Sequence, residues 1–183
     1  MKKITSLALA LVAACFTLQA QVYFTKNGAV SFFSSALLED IKADNNQVIS
    51  VIDLSTGSIQ FSLLNSAFHF KKALMEEHFN ADYIESAKYP KSIFKGTITN
   101  FKSINLNTDA VYQVSVSGDL SIHGITKTIT ATGTITVKSG NISAFSSFKV
   151  KVKDYNISIP ATVRNNIAET IEITVKCDYQ KRG

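Results

Sequence analysis

From Ile125 to Val137 the chain reads ITKTITATGTITV, with threonine at every even position from Thr126 to Thr136 and Ile125, Ile129, Ala131 and Ile135 among the odd ones. Successive Cβ atoms of a pleated strand point to opposite faces, so a period of two this regular specifies a strand with one wet face and one dry face. The preceding residues repeat the pattern: Tyr112, Val114, Val116, Leu120 and Ile122 share one face, and Ser115, Ser117, Asp119 and Ser121 the other. His123-Gly124 lies between the two runs. Glycine permits the positive φ of a tight turn, so the two runs predict a long antiparallel hairpin.

The rest of the chain supplies partners for that hairpin. Val22-Tyr23-Phe24 and Ala29 to Phe33 predict a first strand, or a strand pair divided at Asn27-Gly28, and Asp44-Asn45-Asn46 predicts a polar turn. Residues 47–54 and 58–64 predict a hairpin around Thr56-Gly57, with Ile59, Phe61 and Leu63 on one face. Residues 70–86 predict the one helix: Leu74, Met75, Phe79 and Tyr83 form an apolar stripe opposite Lys71, Lys72, Glu76 and Glu77. Tyr89-Pro90 closes this passage, because proline holds its predecessor extended. Further strands are expected at 92–101, with Phe94, Gly96 and Ile98 on one face, at 141–153, and at 167–178, with Ile171, Ile173 and Val175 inward. In the second of these Phe148, Val150 and Val152 oppose Lys149, Lys151 and Lys153, a lysine row that reads as a solvated, edge-protecting face. Residues 154–160 read as irregular or as a short strand. The sum is an all-β antiparallel fold of about eight strands, a barrel or a sandwich, with one α-helix inserted after the fourth strand and no internal repeat.

The first twenty residues stand apart. Lys2 and Lys3 precede an apolar run from Ile4 to Leu18, and Leu18-Gln19-Ala20 offers a small residue for cleavage, the pattern of a secretory signal peptide over residues 1–20. The alternative is a lipoprotein box at Val12-Ala13-Ala14-Cys15 that would leave Cys15 acylated. Cleavage after Ala20 leaves 163 residues (183 − 20), enough for one domain over 21–183 with a core of its own, and a charge of +3 once Lys2 and Lys3 are removed from +5. So mild a charge, on an exported chain, argues against nucleic acid as a partner. Cys177 is then the single cysteine, so no internal disulfide is expected; it continues the apolar series of its strand and reads as a packing residue.

Reactive constellations are scarce. His69, His78 and His123 are the three histidines, and none has metal-ligand spacing or a cysteine cluster beside it. His123 reads as a turn residue. Glu76 and Glu77 diverge by about 100° around a helix and do not converge on one atom, so they read as a solvated face. There is no GxSxG elbow and no phosphate loop, and nothing in the pattern argues for an enzyme or a cofactor. What remains is the inner surface: Phe61, Leu63, Phe94, Ile98, Val114, Val116, Leu120, Ile129, Ile135, Phe148, Val150, Ile171 and Ile173, with Gly96, Gly118, Ala131 and Gly133 among them. A barrel of eight strands is either filled by such side chains or holds one small ligand. Leu74, Met75 and Phe79 are expected to cap one end.

Two segments carry a resemblance. Gly118-Asp119-Leu120-Ser121-Ile122-His123-Gly124-Ile125-Thr126-Lys127 resembles the G-x-L-T-I-H-G-V-T-K hairpin of the YceI-like family. Met75-Glu76-Glu77-His78-Phe79 through Lys88-Tyr89-Pro90-Lys91-Ser92-Ile93-Phe94-Lys95-Gly96 resembles its L-x-x-x-x-F-F-D-x-x-x-Y-P-x-I-x-F segment. The chain departs from the family at Lys153-Asp154-Tyr155-Asn156-Ile157, where an arginine is missing, and at Phe79-Asn80, where a paired aromatic is reduced. The resemblance implies a lipocalin-like antiparallel eight-stranded barrel in the periplasm, its lumen holding a long isoprenoid-like lipid such as a quinone or prenyl phosphate, with the membrane as lipid source. The candidate lumen set is the apolar positions above other than Val150, together with Leu74, Met75, Phe79 and Ala131. The alternative is an interaction module with a filled core, tethered through Cys15.

Overall fold

The computed structural model describes residues 21–182; the expected signal peptide and Cys15 lie outside them. Nine strands follow in order: β1 (Val22–Ser35), β2 (Asp40–Asp53), β3 (Ser58–Leu64), β4 (His69–Phe70), β5 (Lys91–Ile98), β6 (Ala110–Ile122), β7 (Ile125–Lys138), β8 (Asn141–Lys151) and β9 (Thr170–Lys181). The two-residue β4 only extends the flank of β2. Each of the other eight pairs antiparallel with its neighbour in sequence, and β1 pairs with β9, so the meander closes into an eight-stranded barrel. Closure gives each of the eight strands a partner on both sides.

The threonine strand lies where its alternation requires. β6 and β7 pair without a break from Ala110↔Val137 to Ile122↔Ile125. The turn between them has φ of 50° at His123 and 73° at Gly124, the double positive φ of a type I′ hairpin. Thr126, Thr128, Thr130 and Thr132 are exposed, whereas Ile135 and Val137 are buried.

Four expectations are corrected. Asn27-Gly28 does not divide the first strand: β1 runs through it, with register shifts on both sides of Gly28. Gly28 is buried, and a Cβ there would lie 2.7 Å from the Cys177 sulfur, so its role is close approach and not a turn. Asp44-Asn45-Asn46 likewise sits inside β2. Asn45 is fully buried; its Nδ2 donates to the Leu64 carbonyl at 2.9 Å and its Oδ1 accepts from the Gln47 N–H at 2.9 Å. That side chain does locally what a turn would have done with water. The helix is shorter than 70–86: α1 covers Ala73–His78, and a π-helical turn follows over Phe79–Tyr83. β8 ends at Lys151, so Lys153 leaves the lysine row for a 3₁₀ turn over Val152–Tyr155.

The meander places the connections 36–39, 65–90, 123–124 and 152–169 at one end of the barrel and 54–57, 99–109 and 139–140 at the other. The second end is solid. Ile52, Ile98, Ile135, Ile142, Cys177 and Tyr179 pack there, with Phe101, Ile104 and Leu106 of the 99–109 connection against them. Ser50 donates to the Gln60 carbonyl at 3.0 Å, so the Tyr179 hydroxyl, 2.7 Å from Ser50 Oγ, is the donor of that pair. The first end is roofed by aromatic rings: Phe32 lies 5.3 Å from Phe68, 5.6 Å from Phe70 and 5.5 Å from Phe79, centre to centre.

Candidate functional site: an apolar lumen

Between solid floor and aromatic roof lies a cavity of about 440 Å³, within the usual ~300–1,000 Å³ of small-molecule sites. Ile59, Ile98, Val114 and Ile135 form its floor, shared with the packed end. The wall is contributed in turn by Phe61 and Leu63 of β3, Phe94 of β5, Val116 and Leu120 of β6, Ile129 and Ala131 of β7, Phe148 and Val150 of β8, and Ile171 and Ile173 of β9. Met75, Phe79 and Tyr83 enter from the helical passage at spacings of four, which puts them on one side of it. The barrel is thus filled in one half and hollow in the other.

Every candidate lumen residue read from the sequence stands on this wall except Leu74, which is 61 % exposed. The reason is geometric: neighbours on a helix diverge by about 100°, so Leu74 cannot face the lumen that Met75 faces. Gly96 and Gly118 do not line the cavity either. They stand directly opposite each other in the β5–β6 ladder, and a Cβ on Gly118 would fall 2.3 Å from the Lys95 carbonyl oxygen. Their smallness serves strand contact, as does that of Gly133, whose Cβ would fall 2.5 Å from the Phe145 carbonyl oxygen, whereas that of Ala131 leaves lumen space.

The sequence reading missed the inner face of β1 and β2, Val30, Phe32 and Ile41, because the first strand was given no inward face and Asp44-Asn45-Asn46 was read as a turn. It also missed Tyr155, Ile157, Ile159, Val163 and Ile167 of the long 152–169 connection. The alternation of Ile157 and Ile159 with Asn156 and Ser158 was the available signal.

Polar groups around the lumen are mostly committed to each other. Asn65, 1 % exposed, donates to the Tyr89 carbonyl at 2.7 Å and accepts from Ser92 Oγ at 2.7 Å, tying both feet of the 65–90 insertion. Ser34 Oγ accepts from the Ala168 N–H at 2.9 Å. Glu39 receives Lys72 Nζ at 2.6 Å, and this bond, with a second from Asn166, holds its carboxyl below the usual range. His123 lies outside the lumen as a hub of three segments. Its Nε2 is 2.6 Å from Glu85 Oε2, its Nδ1 is 3.0 Å from the Tyr155 carbonyl, and its ring stands edge-on to Tyr89. Cys177 is buried, and burial pushes its thiol up to about 11, which disfavours the thiolate. Among the described residues no group of three or more His, Cys, Asp or Glu side chains is placed to hold a metal ion.

A closed antiparallel meander of eight strands around an apolar lumen, with a helical passage over one end, is a lipocalin-like small barrel. Residues 16–179 match the YceI-like domain, and the chain belongs to the YceI-like family, as the 118–127 hairpin and the 75–96 segment led one to expect. Among solved structures it is similar to a polyisoprenoid-binding domain from Saccharophagus degradans implicated in plant cell wall breakdown. That match has 16% identity and a TM-score of 0.77, covering 90% of this chain and 100% of that one. Burkholderia cenocepacia BcnA matches at 16% identity and a TM-score of 0.68, over 84% of this chain and 96% of that one. The Campylobacter jejuni YceI protein matches at 18% identity and a TM-score of 0.55, over 100% of each. No curated protein sequence matches the chain.

Proposed function

We propose that the lumen holds one long apolar chain, that of an isoprenoid-like lipid, and that the protein carries or sequesters this lipid after export to the periplasm. The observation that carries the reading is a cavity of about 440 Å³ whose wall is almost wholly hydrocarbon, with Asn65, Ser92 and Ser34 at its margin already hydrogen-bonded within the protein. Such a site is built to bind an apolar chain. Burying a chain of about 20 carbons at ~0.8 kcal/mol per methylene offers at most ~16 kcal/mol before ordering costs of several kcal/mol or more. Affinity therefore needs no strong polar contact, and specificity rests on chain length against the floor of Ile59, Ile98 and Ile135. Membership of the YceI-like family supports the reading, as does similarity to a structure described as polyisoprenoid-binding. Export rests on the signal-like pattern of residues 1–20.

The test is to fill the lumen. Ala131 lies on the wall with its side chain inward, so Ala131→Phe should abolish uptake of a fluorescent prenyl lipid while circular dichroism still reports the native sheet. Undiminished uptake by a folded Ala131→Phe would place the lipid elsewhere.

A further inference from the structure

The wall of the lumen is stitched unevenly. β6 and β7 remain paired up to Ile122↔Ile125, and β8 and β9 up to Lys151↔Thr170. The β7–β8 ladder, by contrast, stops at Gly133↔Ser146, with Ser146 Oγ donating to the Thr132 carbonyl at 2.7 Å as its last stitch. Beyond it, residues 125–132 of β7 and 147–151 of β8 continue as strands that do not pair with each other, over about 17 Å of β8 at ~3.3 Å per residue. The cavity follows this split outwards. Thr134 and Phe145, a directly opposed pair on the outer face at the foot of the split, both line it. Ala131, Gly133 and Ser146, all small, flank the same point, with Gly133 in close contact with the Phe145 backbone. The turn Val152–Tyr155 lies against both strands and covers the gap from above.

The outer face of β8 beside the split is equally distinctive. Phe145 is 45 % exposed at its lower lip, and exposed Lys149 and Lys151 continue the same face upwards. Among the described residues neither lysine is in an ion pair. Glu172, opposite Lys149 on β9, accepts from Ser147 Oγ at 2.6 Å, and exposed Lys176 stands opposite Phe145, so the face is net positive. The roofed end also exposes leucines, Leu37, Leu38 and Leu74, but its segments are tied across by the Lys72–Glu39 pair and by the Leu38 N–H to the Asn165 carbonyl, above a packed aromatic cluster.

Resting on the lumen-binding reading above, we infer that the lipid chain crosses the barrel wall sideways, through the gap between β7 and β8, while the outer face of β8 sits on an anionic bilayer. Phe145 enters the headgroup region, Lys149 and Lys151 meet lipid phosphates, and the chain passes into the lumen without an aqueous step.

The experiment follows transfer of a fluorescent prenyl alcohol into the purified protein from vesicles of phosphatidylcholine and phosphatidylglycerol in equal parts, and separately from detergent solution. Lys149→Glu with Lys151→Glu changes only the outer face of β8 and leaves the lumen intact, whereas Phe145→Ser alters the foot of the split itself. The paired lysine variant should lose vesicle binding and transfer by about tenfold or more while loading from detergent as the parent does, and Phe145→Ser should slow transfer from vesicles. Transfer unaffected in these variants but slowed by Leu37→Ser with Leu38→Ser would overturn the side passage in favour of the roofed end and leave lumen binding standing. Failure of the parent protein to load by either route would overturn lumen binding, and the passage with it.

Discussion

Gly118 shows how little freedom a single position has here. Its missing side chain would lie 2.3 Å from the Lys95 oxygen and 2.4 Å from the Gly96 Cα, both backbone atoms that cannot swing aside. Gly118→Ala should therefore cost about 1–3 kcal/mol or more in urea unfolding, the scale of overpacking, whereas a loss below a few tenths would mean that β5 and β6 can separate freely. Cys177 gives the alkaline prediction. Burial raises its thiol from an ordinary 9.0 to about 11, so the folded state favours the neutral form. That contribution is complete below pH 9, where both states keep the proton, and is lost as pH rises towards about 11, where only the unfolded state has released it. Tyr179 is shifted in the same direction by the same cause. Stability should fall across that window by on the order of 2 kcal/mol from the thiol, and Cys177→Ala should flatten the decline; parallel declines would contradict the assignment. Leu74 is the complementary lesson, since an apolar stripe read from sequence admitted a residue that α-helical geometry turns outward.

At the scale of elements, what the sequence made legible was whatever repeated. The β6–β7 hairpin could be placed to the residue because threonine and isoleucine alternate without a break. β2 could not, because Asp44-Asn45-Asn46 has the composition of a turn; it stays in the strand through its pairing with Val30 and Ser31 of β1 and the long-range bond from Asn45 Nδ2 to the Leu64 carbonyl. The roof over 152–169 was illegible for the same reason: its four apolar contributors to the lumen beyond Tyr155 lie on irregular backbone held by distant partners. His123 is the main such partner, joining the hairpin turn to the 79–90 passage through Glu85 and to the 152–159 segment through the Tyr155 carbonyl. Replacing it by phenylalanine removes both bonds and leaves a carbonyl of a buried residue unpaired, a loss of about 1–3 kcal/mol. His123→Phe should raise amide hydrogen exchange in those two segments while the floor strands keep their protection. Exchange unchanged in both segments would show that packing alone holds the roof.

The whole molecule is a barrel divided across its middle. Most inner positions read from the sequence line the cavity, yet the pattern could not separate a filled core from a hollow one, because Ile98 and Ile129 carry the same pattern signal and differ only in what stands beneath them. Depth is a property of closure: the 99–109 connection drives Phe101, Ile104 and Leu106 into one end, while the roof at the other spans the strands without filling them. Strand order, family and the apolar character of the interior were written in local alternation and two motifs; the cavity and the split between β7 and β8 arise from register and loop packing. The measurement that bears most directly on the lumen reading is mass spectrometry of lipids extracted from the mature protein purified from its native host. One isoprenoid species at a stoichiometry near one per chain is the predicted result. An empty extract, repeated after incubation with native membranes, would contradict it and point to a barrel that serves as an interaction module.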